Sequence, residues 1–477
     1  MSKLGELSQN RIFYFFEQIS AIPRGSGNMK KIADYCCDFA QKHNLKYIKD
    51  EANNVVIYKN ASQGYENSTP VILQGHLDMV CQKEENCTID FKEDSLDIYI
   101  DGDFIKAKGT TLGADNGIAI AMILSILESD KYSHPAIEAV FTTDEEIGLI
   151  GAGKLDKSIL SGKKMINIDS EDLTVSCAGG CDLRATLPIK RVKQSGTEIS
   201  IVIDGLKGGH SGAAIDKGRV NADMLAGRIL NHLKQLTYFS IISINGGDKG
   251  NAIPNRCEIK ICAQNPEIFK TELSQYAKII KTEISVREEN FTVTTKVFKT
   301  GCFNVFDTSV EEKLIYSLLC APNGVIEMSA EIDRLVETSL NLGILKTENE
   351  NIILHFALRS NKKTGLLFIE EKTVAFFKML GFSIETFGHY PPWEYKTDSV
   401  LRPMYIKTHL KHLGVEPKVK AIHAGLECGL FASAIDGLDC IAIGPELYDI
   451  HTVNEKLSIS STLSIFNIIT EILENLK

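Results

Sequence analysis

Seven acidic and histidine side chains lie close to apolar runs at widely separated points of the sequence. They are His76, Asp78, Asp115, Glu145, Glu146, Asp169 and His451. In an open α/β sheet, ligands bind beyond the carboxyl ends of the strands, so residues that are distant in sequence can meet in one crevice. Imidazoles and carboxylates gathered there are suitable ligands for divalent metal ions. The sequence therefore predicts a metal site at one end of a sheet.

The first two of these residues, His76 and Asp78, are two positions apart. At this spacing, side chains of an extended segment point to the same side. A metal-bound imidazole commonly needs a carboxylate on its other nitrogen, and Asp78 could supply it. Taken alone, the segment could equally be a strand-end turn with a solvated aspartate. Asp115, which precedes an apolar helical run, could by itself be a helix N-cap.

Glu145 and Glu146 are adjacent carboxylates at the end of an apolar run. Such a pair is costly unless a cation neutralises it or one member stays protonated. Because the two side chains diverge, one could bind metal while the other takes a proton from water and returns it to a leaving amine. The residues alone do not decide which glutamate has which role. A solvated acidic turn is the alternative interpretation.

Two histidines and three carboxylates could form a dinuclear site with one bridging carboxylate and open positions for water. Nitrogen and oxygen ligands in this mixture favour Zn, with Co and Mn as alternatives. We therefore expect two divalent metal ions as cofactors.

The elements that must position these residues form two patterns. Strand-like and helical runs alternate in the N-terminal part, and residues 440–443 and 462–476 repeat this pattern as a strand and an amphipathic helix. This rhythm predicts an α/β domain with a mostly parallel sheet flanked by helices, made from residues 1–185 and 400–477. Residues 186–399 instead predict an inserted α+β domain. Residues 251–284 weakly resemble residues 351–380, so this insert could have two lobes.

Composition narrows the possible partners. The 477 residues exceed what one hydrophobic core usually supports, and 44% apolar with 24% charged residues is ordinary for a soluble protein. A net charge of -10 argues against nucleic acid as a partner. No apolar run approaches the roughly 20 residues of a membrane span, and no signal-peptide core is evident, so we expect a cytoplasmic protein without a membrane partner. Twelve cysteines without repeated metal-knuckle spacing predict reduced thiols.

Six motifs carry a resemblance to a known family. In order along nearly the whole chain they are GHLDMV, GTTLGADNGIAIAM, TTDEEIGLIGA, NIDSED, GGHSG and HAGLECG. As a set they resemble the di-zinc peptidases with an inserted lid domain. They are most similar to the branch of aminoacyl-histidine dipeptidases, also called Xaa-His or cytosol non-specific dipeptidases.

The resemblance implies a division of the metal ligands. His76, Asp115 and Asp169 would hold one ion. Asp115, Glu146 and His451 would hold the other, so that Asp115 bridges the two ions.

The resemblance also implies roles for residues around the metal ions. Asp78 would orient the first histidine, and Glu145 would be the general base and acid that prepares a bridging hydroxide. The expected reaction is hydrolysis of small peptides, chiefly dipeptides of the Xaa-His type and broader. Two alternatives stay open, which are an N-acyl amino acid amidohydrolase of the same fold and a metal-binding scaffold without activity.

Further residues would contact the substrate. His210 resembles the lid histidine that polarises the scissile carbonyl, and Arg359 resembles the arginine that grips the free carboxylate with its bidentate fork. Asn251 and Gly425 match further substrate-contact positions, and Glu427 would bind the amino group of the substrate. Without the resemblance, GGHSG would be a turn and the arginine part of a surface ion pair. Paired lids in the family imply a homodimer, unless a two-lobed insert imitates the partner within one chain.

Overall fold

The computed structural model describes residues 2–477, and its N-terminal part alternates strands with helices as the apolar runs predict. The strands are β1 (Lys46–Lys49), β2 (Val55–Lys59), β3 (Val71–His76), β4 (Ile98–Asp101), β5 (Phe104–Ala107), β6 (Ile137–Thr142), β7 (Lys164–Asn167) and β8 (Leu173–Cys177). The helices are α1 (Arg11–Ser20), α2 (Lys30–Lys42), α3 (Ala114–Glu128) and α4 (Ile150–Lys154).

The middle of the chain is richer in long antiparallel strands. These are β9 (Gly179–Pro188), β10 (Arg191–Asp204), β11 (Gly209–His210), β12 (Phe239–Gly246), β13 (Ala252–Ile253), β14 (Cys257–Ala263), β15 (Thr292–Phe306), β16 (Gly324–Met328), β17 (Val336–Thr347), β18 (Asn351–Ser360) and β19 (Ser383–Tyr390). Its helices are α5 (Ala222–Lys234), α6 (Pro266–Ile284), α7 (Thr308–Cys320) and α8 (Lys363–Met379).

The C-terminal part returns to the α/β pattern. Its elements are α9 (Leu401–Leu413), β20 (Val419–Ile422), α10 (Glu427–Ala434), β21 (Asp439–Ala442), β22 (Leu447–Tyr448), β23 (Lys456–Ser458) and α11 (Ile459–Asn475).

The first of two structural units contains an eight-stranded sheet in the order β1-β2-β6-β3-β7-β21-β8-β20. Its four central strands, β6, β3, β7 and β21, run parallel to their neighbours within this group. All six residues of β3 are buried, as expected for a central strand covered on both faces. The carboxyl ends of these strands therefore share one edge of the sheet, where a ligand site is expected.

The second unit is the inserted domain, which we call the lid, and it contains two lobes of the same topology. Strands β10, β12, β14 and β15 form one lobe in the order β15-β10-β14-β12, and β9, β17, β18 and β19 form the other in the order β19-β9-β18-β17. Each lobe has the order strand, helix, strand, strand, helix, strand, a ferredoxin-like unit. Pairing of Gly246 with Leu345 joins the lobes into one sheet. The structure thus contains the two lobes that the internal similarity predicted.

The boundaries of the lid lie earlier than the expected residues 186 and 399. The second unit contains Cys177–Glu394 and Ile422–Gly425. The difference arises because β9 already begins at Gly179 and pairs with β18 along its whole length, a pairing that the apolar pattern does not reveal.

None of the helices within residues 2–477 is long and apolar enough to cross a membrane.

Candidate metal centre

The carboxyl ends of the central strands, the start of α3 and the segment before β23 together carry all seven predicted residues of the first unit. His76 ends β3, and Asp78 follows it. Glu145 and Glu146 follow β6, and Asp169 follows β7. Asp115 lies at the start of α3, and His451 lies between β22 and β23.

Asp115 lies between the two imidazoles. Its Oδ1 atom is 3.1 Å from His76 Nε2, and its Oδ2 atom is 3.2 Å from His451 Nε2. The hydrogen bonds of its side chain join these two imidazoles, and among the described residues none comes from a backbone amide of α3, as an N-cap would need. The N-cap alternative is therefore wrong, and the two carboxylate oxygens are divided between two histidines, as a bridging ligand requires.

Two sets of ligand atoms form around this aspartate. His76, Asp115 and Asp169 offer one set, and Asp115, Glu146 and His451 offer the other, with the atoms of each set within 4.8 Å of one another. His451 Nε2 is 3.1 Å from Glu146 Oε1, and His76 Nε2 is 3.8 Å from Asp169 Oδ1. The donors are imidazole nitrogens and carboxylate oxygens, which suit Zn, Co or Mn. The residues present therefore fit two divalent ions.

Asp78 is fully buried beneath the two glutamates. Its Oδ1 lies 3.3 Å from His76 Nδ1 and accepts a hydrogen bond from the Glu145 amide at 3.0 Å. Its Oδ2 accepts hydrogen bonds from the Glu146 amide at 3.2 Å and the Ser26 hydroxyl at 2.8 Å. Burial opposes ionisation of Asp78, but the interaction with His76 outweighs it and lowers the pKa of this carboxyl. One carboxylate thus orients the histidine and also holds the turn that carries both glutamates.

Burial and mutual repulsion shift the pKa values of the acidic cluster. Burial raises the pKa of Glu145 to about 8, and His76 partly opposes this shift. Burial also raises the pKa of Asp169 well above its ordinary value. Hydrogen bonds with Asp115 and Glu146 raise the pKa of His451 to about 10. Divalent cations would replace the protons of Asp169 and His451, because metal ligands of these types bind in their deprotonated forms.

Asn116 connects two of the ligand-bearing strands. Its Oδ1 accepts a hydrogen bond from the His76 amide at 3.1 Å, and its Nδ2 donates to the Ile168 carbonyl at 2.6 Å. The peptide bond between Asp115 and Asn116 is cis. The Asn116 side chain therefore links the backbone at His76 to the backbone next to Asp169, two residues of the first ligand set.

Glu455 is a supporting residue that the sequence did not reveal. It is 3% exposed, and its carboxylate accepts hydrogen bonds from four successive amides. These amides belong to Leu112, Gly113, Ala114 and Asp115, at distances of 2.8, 3.0, 2.8 and 3.3 Å. The turn that presents the bridging aspartate is thereby held by one buried carboxylate. Proximity to His451 is the only sequence signal that points to it.

Arg24 holds the same region from the N-terminal side. Its buried guanidinium donates to the carbonyl groups of Leu77 at 2.9 Å and Asp78 at 3.0 Å, and to that of Gly113. Burial lowers its pKa. Nothing in the spacing of the sequence singles out this arginine.

Glu427, the expected reader of the substrate amino group, is fully buried at the start of α10. Its Oε2 accepts hydrogen bonds from Gln74 Nε2 at 2.5 Å and Thr142 Oγ1 at 2.7 Å. Burial raises its pKa to about 7. These contacts hold the carboxyl group against the ends of β3 and β6.

The predicted substrate-contact residues belong to the lid. His210 Nδ1 accepts hydrogen bonds from the amides of Gly212 at 3.1 Å and Ala213 at 3.2 Å. Desolvation and then Arg359 lower the pKa of this histidine. Both effects favour the neutral ring. Because Nδ1 accepts these two hydrogen bonds, the proton of the neutral ring is on Nε2, which is then a donor.

Arg359 donates from Nη1 to the Tyr390 hydroxyl at 3.0 Å. Its Nε atom is buried and has no hydrogen-bond acceptor within the described part of the chain. Gly425 packs on the same tyrosine, since a Cβ atom there would lie 3.0 Å from the ring. The carbonyl of Asn251 accepts a hydrogen bond from the Ser211 amide at 2.9 Å, next to His210.

Comparison with known proteins extends these observations over the whole chain. A cytosol non-specific dipeptidase of Escherichia coli (strain K12) is 34% identical over 484 residues, covering 100% of this chain and 99% of that protein. The crystal structure of aminoacylhistidine dipeptidase from Vibrio alginolyticus is 34% identical with a TM-score of 0.92, covering 99% of this chain and 98% of that one. A tripeptidase structure from Staphylococcus aureus, at 17% identity and TM-score 0.55 over 98% of each chain, shares the fold.

The resemblance seen in the six motifs is confirmed by these full-length matches. The model of peptidase family M20/M25/M40 also matches residues 72–475, which include the lid and every predicted site residue. The chain therefore belongs to the M20/M25/M40 family of peptidases.

Proposed function

We propose that this protein hydrolyses dipeptides, of the Xaa-His type and broader, with two divalent metal ions, of which Zn is the first candidate. The position of Asp115 between two imidazoles carries this proposal, because it offers one oxygen to each of two ligand sets. The full-length similarity to two dipeptidases supports the choice of substrate class.

In this proposal, His76, Asp115 and Asp169 hold one ion, and Glu146 and His451 complete the other. When bound, such ions act as Lewis acids and lower the pKa of water. Asp78 keeps His76 oriented.

Glu145 is the proposed general base. Its amide is fixed by Asp78. Its side chain is not part of the two ligand sets around Asp115, although one of its oxygens lies within 4.8 Å of ligand atoms of His76 and Glu146. The carboxylate takes a proton from the attacking water and delivers it to the leaving amine. This transfer lets the peptide C–N bond break with a neutral amine as the leaving group, so that no amide anion is expelled.

The lid supplies the proposed substrate contacts. His210, neutral and with Nε2–H as a donor, stabilises the oxygen of the scissile carbonyl as negative charge develops there. Arg359 binds the free carboxylate of the dipeptide, and its unpartnered Nε supports this role. Asn251 and Gly425 are further contact positions in this proposal.

Hydrolysis assays on a small panel test the substrate class. The metal-free protein is loaded with Zn, Co or Mn and given Gly-His, β-Ala-His, Leu-Gly, a tripeptide and an N-acetyl amino acid. Cleavage confined to dipeptides is expected. Cleavage of only the acetylated compound would move the assignment to the amidohydrolases, and no cleavage with metal fully loaded would indicate an inactive scaffold.

Replacement of the proposed base gives a direct test of its role. In Glu145→Gln, kcat should fall on the order of a hundredfold or more, because proton transfer is lost while the bound metals remain. Metal content per chain is measured alongside kcat. Glu416→Gln, at an exposed loop position, is the matched control and should keep full activity. A Glu145→Gln protein with its metals and full rate would exclude this base.

We further propose that the protein is a cytoplasmic homodimer, on the basis of the family resemblance. Light scattering should give twice the chain mass of 52.7 kDa. Mixtures of His210→Ala and Glu145→Gln chains then test whether subunits share the lid histidine, since sharing would restore activity in mixed dimers.

A further inference from the structure

Three potential metal ligands meet in the second lobe of the lid, outside the centre described above. Cys181 lies on β9, Glu370 on α8 and His389 on β19. One ligand atom from each lies within 4.8 Å of the other two. His389 Nε2 is 3.1 Å from Glu370 Oε1 and 3.2 Å from Oε2. The Cys181 sulfur lies within 4.8 Å of a ligand oxygen of the same carboxylate.

A β-bulge in β19 brings the histidine to this position. Phe387 pairs with Asp182 and Tyr390 pairs with Gly180, with a register shift between the two pairs. Two residues, Gly388 and His389, therefore oppose Cys181 alone.

The bulge determines which face of the sheet carries the imidazole. In a regular strand, His389 would lie on the face of Phe387, whose ring contacts Arg184 and His355. The extra residue moves His389 to the face of Cys181, which is covered by α8. Gly388 adopts φ +64°, a conformation that glycine accepts readily. Bulges commonly redirect a side chain in this way.

We propose that Cys181, Glu370 and His389 form a third divalent-metal site, for Zn²⁺ or a cation of similar preference. Thiolate, imidazole and carboxylate are the three ligand types of Zn, and bond lengths of about 2.0–2.3 Å place tetrahedral donors about 3.4 Å apart. The His389–Glu370 distance is close to that value. The imidazole is 47% exposed, so an ion can enter from solvent and keep a water as its fourth ligand. A surface ion pair alone would require neither the buried thiol nor the bulge.

Binding would exchange the thiol proton for the metal. The S–H bond breaks, a metal–sulfur bond forms, and the proton is released to solvent with no change in oxidation state. The ion would then join β9 to α8 and β19, two consecutive elements that lie far along the chain from β9. It would stabilise the lid by its binding free energy.

The thiolate separates this site from the candidate catalytic centre, whose predicted ligands are nitrogen and oxygen atoms. Zn²⁺, Co²⁺ and Cd²⁺ accept thiolate readily, whereas Mn²⁺ and Mg²⁺ prefer oxygen. Among the described residues, Cys181 is the one cysteine in a candidate ligand group, so a metal–sulfur signal that Cys181→Ser removes reports the lid site. It does so whether or not the dinuclear centre forms as proposed.

The test is a Co²⁺ titration of the metal-free, full-length protein under reducing conditions. The wild type should gain a near-ultraviolet sulfur-to-cobalt charge-transfer band that saturates at one ion per chain. Cys181→Ser should lack the band and bind one Co²⁺ fewer. Cys320→Ser, which alters an exposed cysteine, is the matched control and should keep the band.

A second variant protects the test against misfolding of a buried-site mutant. His389→Gln changes a half-exposed side chain and leaves the thiol in place. The Co²⁺ affinity measured from the charge-transfer band should fall by at least about tenfold. The proposal is overturned if the wild type shows no such band, if the band persists in Cys181→Ser, or if His389→Gln leaves its affinity unchanged.

Discussion

At the residue scale, the position of Asp115 depends on a carboxylate whose hydrogen bonds among the described residues all come from backbone amides. Glu455 accepts hydrogen bonds from four amides, including that of Asp115 itself. Ionised carboxylates accept such bonds with roughly twice the strength of neutral groups. The proposed bridging ligand is therefore held through its backbone by a residue 340 positions away in sequence.

We expect Glu455→Gln to loosen this turn. The glutamine nitrogen cannot accept hydrogen bonds, so about half of the four amides lose their acceptor. The free energy of unfolding should fall by about 1–3 kcal/mol. Metal affinity should fall about tenfold to a hundredfold, because outer partners of metal ligands have effects of that size. Chelator competition measures the affinity, and thermal unfolding measures the stability.

Glu416→Gln again serves as the control, since its side chain is exposed. If Glu455→Gln lost stability but kept its metal affinity, the carboxylate would support the fold without positioning Asp115.

The sequence pointed to the candidate ligands but not to the residues that hold them in place, and the reason is physical. His76 and Asp169 follow apolar strands, so a simple rule about strand ends brings them together. Glu455 and Arg24 act through backbone groups, and backbone contacts leave no residue-type pattern in a single sequence. The N-cap alternative for Asp115 was plausible for the same reason, because the competing acceptor, Glu455, lies far along the chain.

At the element scale, the close approach of α3 to β3 positions the first ligand set. A Cβ atom on Gly75 would lie 2.5 Å from Asn116 Oδ1 and 2.8 Å from the Ala119 Cβ atom. Only glycine allows this distance between helix and strand.

We expect Gly75→Ala to push the helix away from the strand. Overpacking of this kind costs about 1–3 kcal/mol, which thermal unfolding would measure. Displacement of Asn116 should also release the His76 amide and reduce metal content. Gly153→Ala is the matched control, because a Cβ atom at Gly153 meets nothing within 4 Å. Equal stability of the two variants would contradict the proposed role of this contact.

The sequence showed where strands lie more clearly than which strands pair with each other. The apolar runs at β6 and β21 indicated buried strands directly. The pairing of β9 with β18, which moves the lid boundary, and the bulge before Tyr390 depend on register, and register is set by the partner strand. Those features could not be read from one strand at a time.

Helix α5 of the lid carries a buried acid without an N–H or O–H donor among the described residues. Asp223 is 0% exposed, and neither carboxylate oxygen has such a partner. Burial raises its pKa from an ordinary 3.8 to about 8. The folded state therefore retains a proton that the unfolded state releases above about pH 4. The stabilising contribution is complete below that pH and is lost as pH rises through about 8.

We expect Asp223→Asn to remove this pH dependence. The variant should gain stability relative to the wild type between pH 5 and pH 8, by up to a few kcal/mol, since each pKa unit corresponds to about 1.4 kcal/mol. Denaturant unfolding at both pH values provides the measurement. For each protein, the difference in unfolding free energy between the two pH values is the quantity compared, because a packing change would affect both pH values equally. Asp248→Asn, at an exposed position, should show no such difference. Parallel pH profiles for wild type and Asp223→Asn would refute the raised pKa.

At the scale of the whole molecule, the chain has two units with separate hydrophobic cores. One core includes Phe13, Ile118 and Phe141 of the first unit. The other includes Ile229, Phe269 and Phe356 of the lid. The seven predicted catalytic-centre residues belong to the first unit alone. Ligand binding stabilises only the folded unit that holds the ligand, so the two units should respond differently to metal.

We therefore expect calorimetry to resolve two unfolding transitions, of which one depends on Mn²⁺. Mn²⁺ disfavours thiolate ligands, so it should load the first unit and not the Cys181 site. At free Mn²⁺ about 100-fold above its dissociation constant, each site should add about 2.7 kcal/mol to the unfolding free energy of the first unit, and chelation should remove this gain.

Two variants assign the transitions. Gly75→Ala should lower the unfolding temperature of the first unit, and Asp223→Asn should change the pH dependence of the lid transition. Zn²⁺ should shift both transitions in the wild type and only the first in Cys181→Ser. A lid transition that moved equally with Mn²⁺ would show that the metal's stabilising effect extends beyond the unit that binds it.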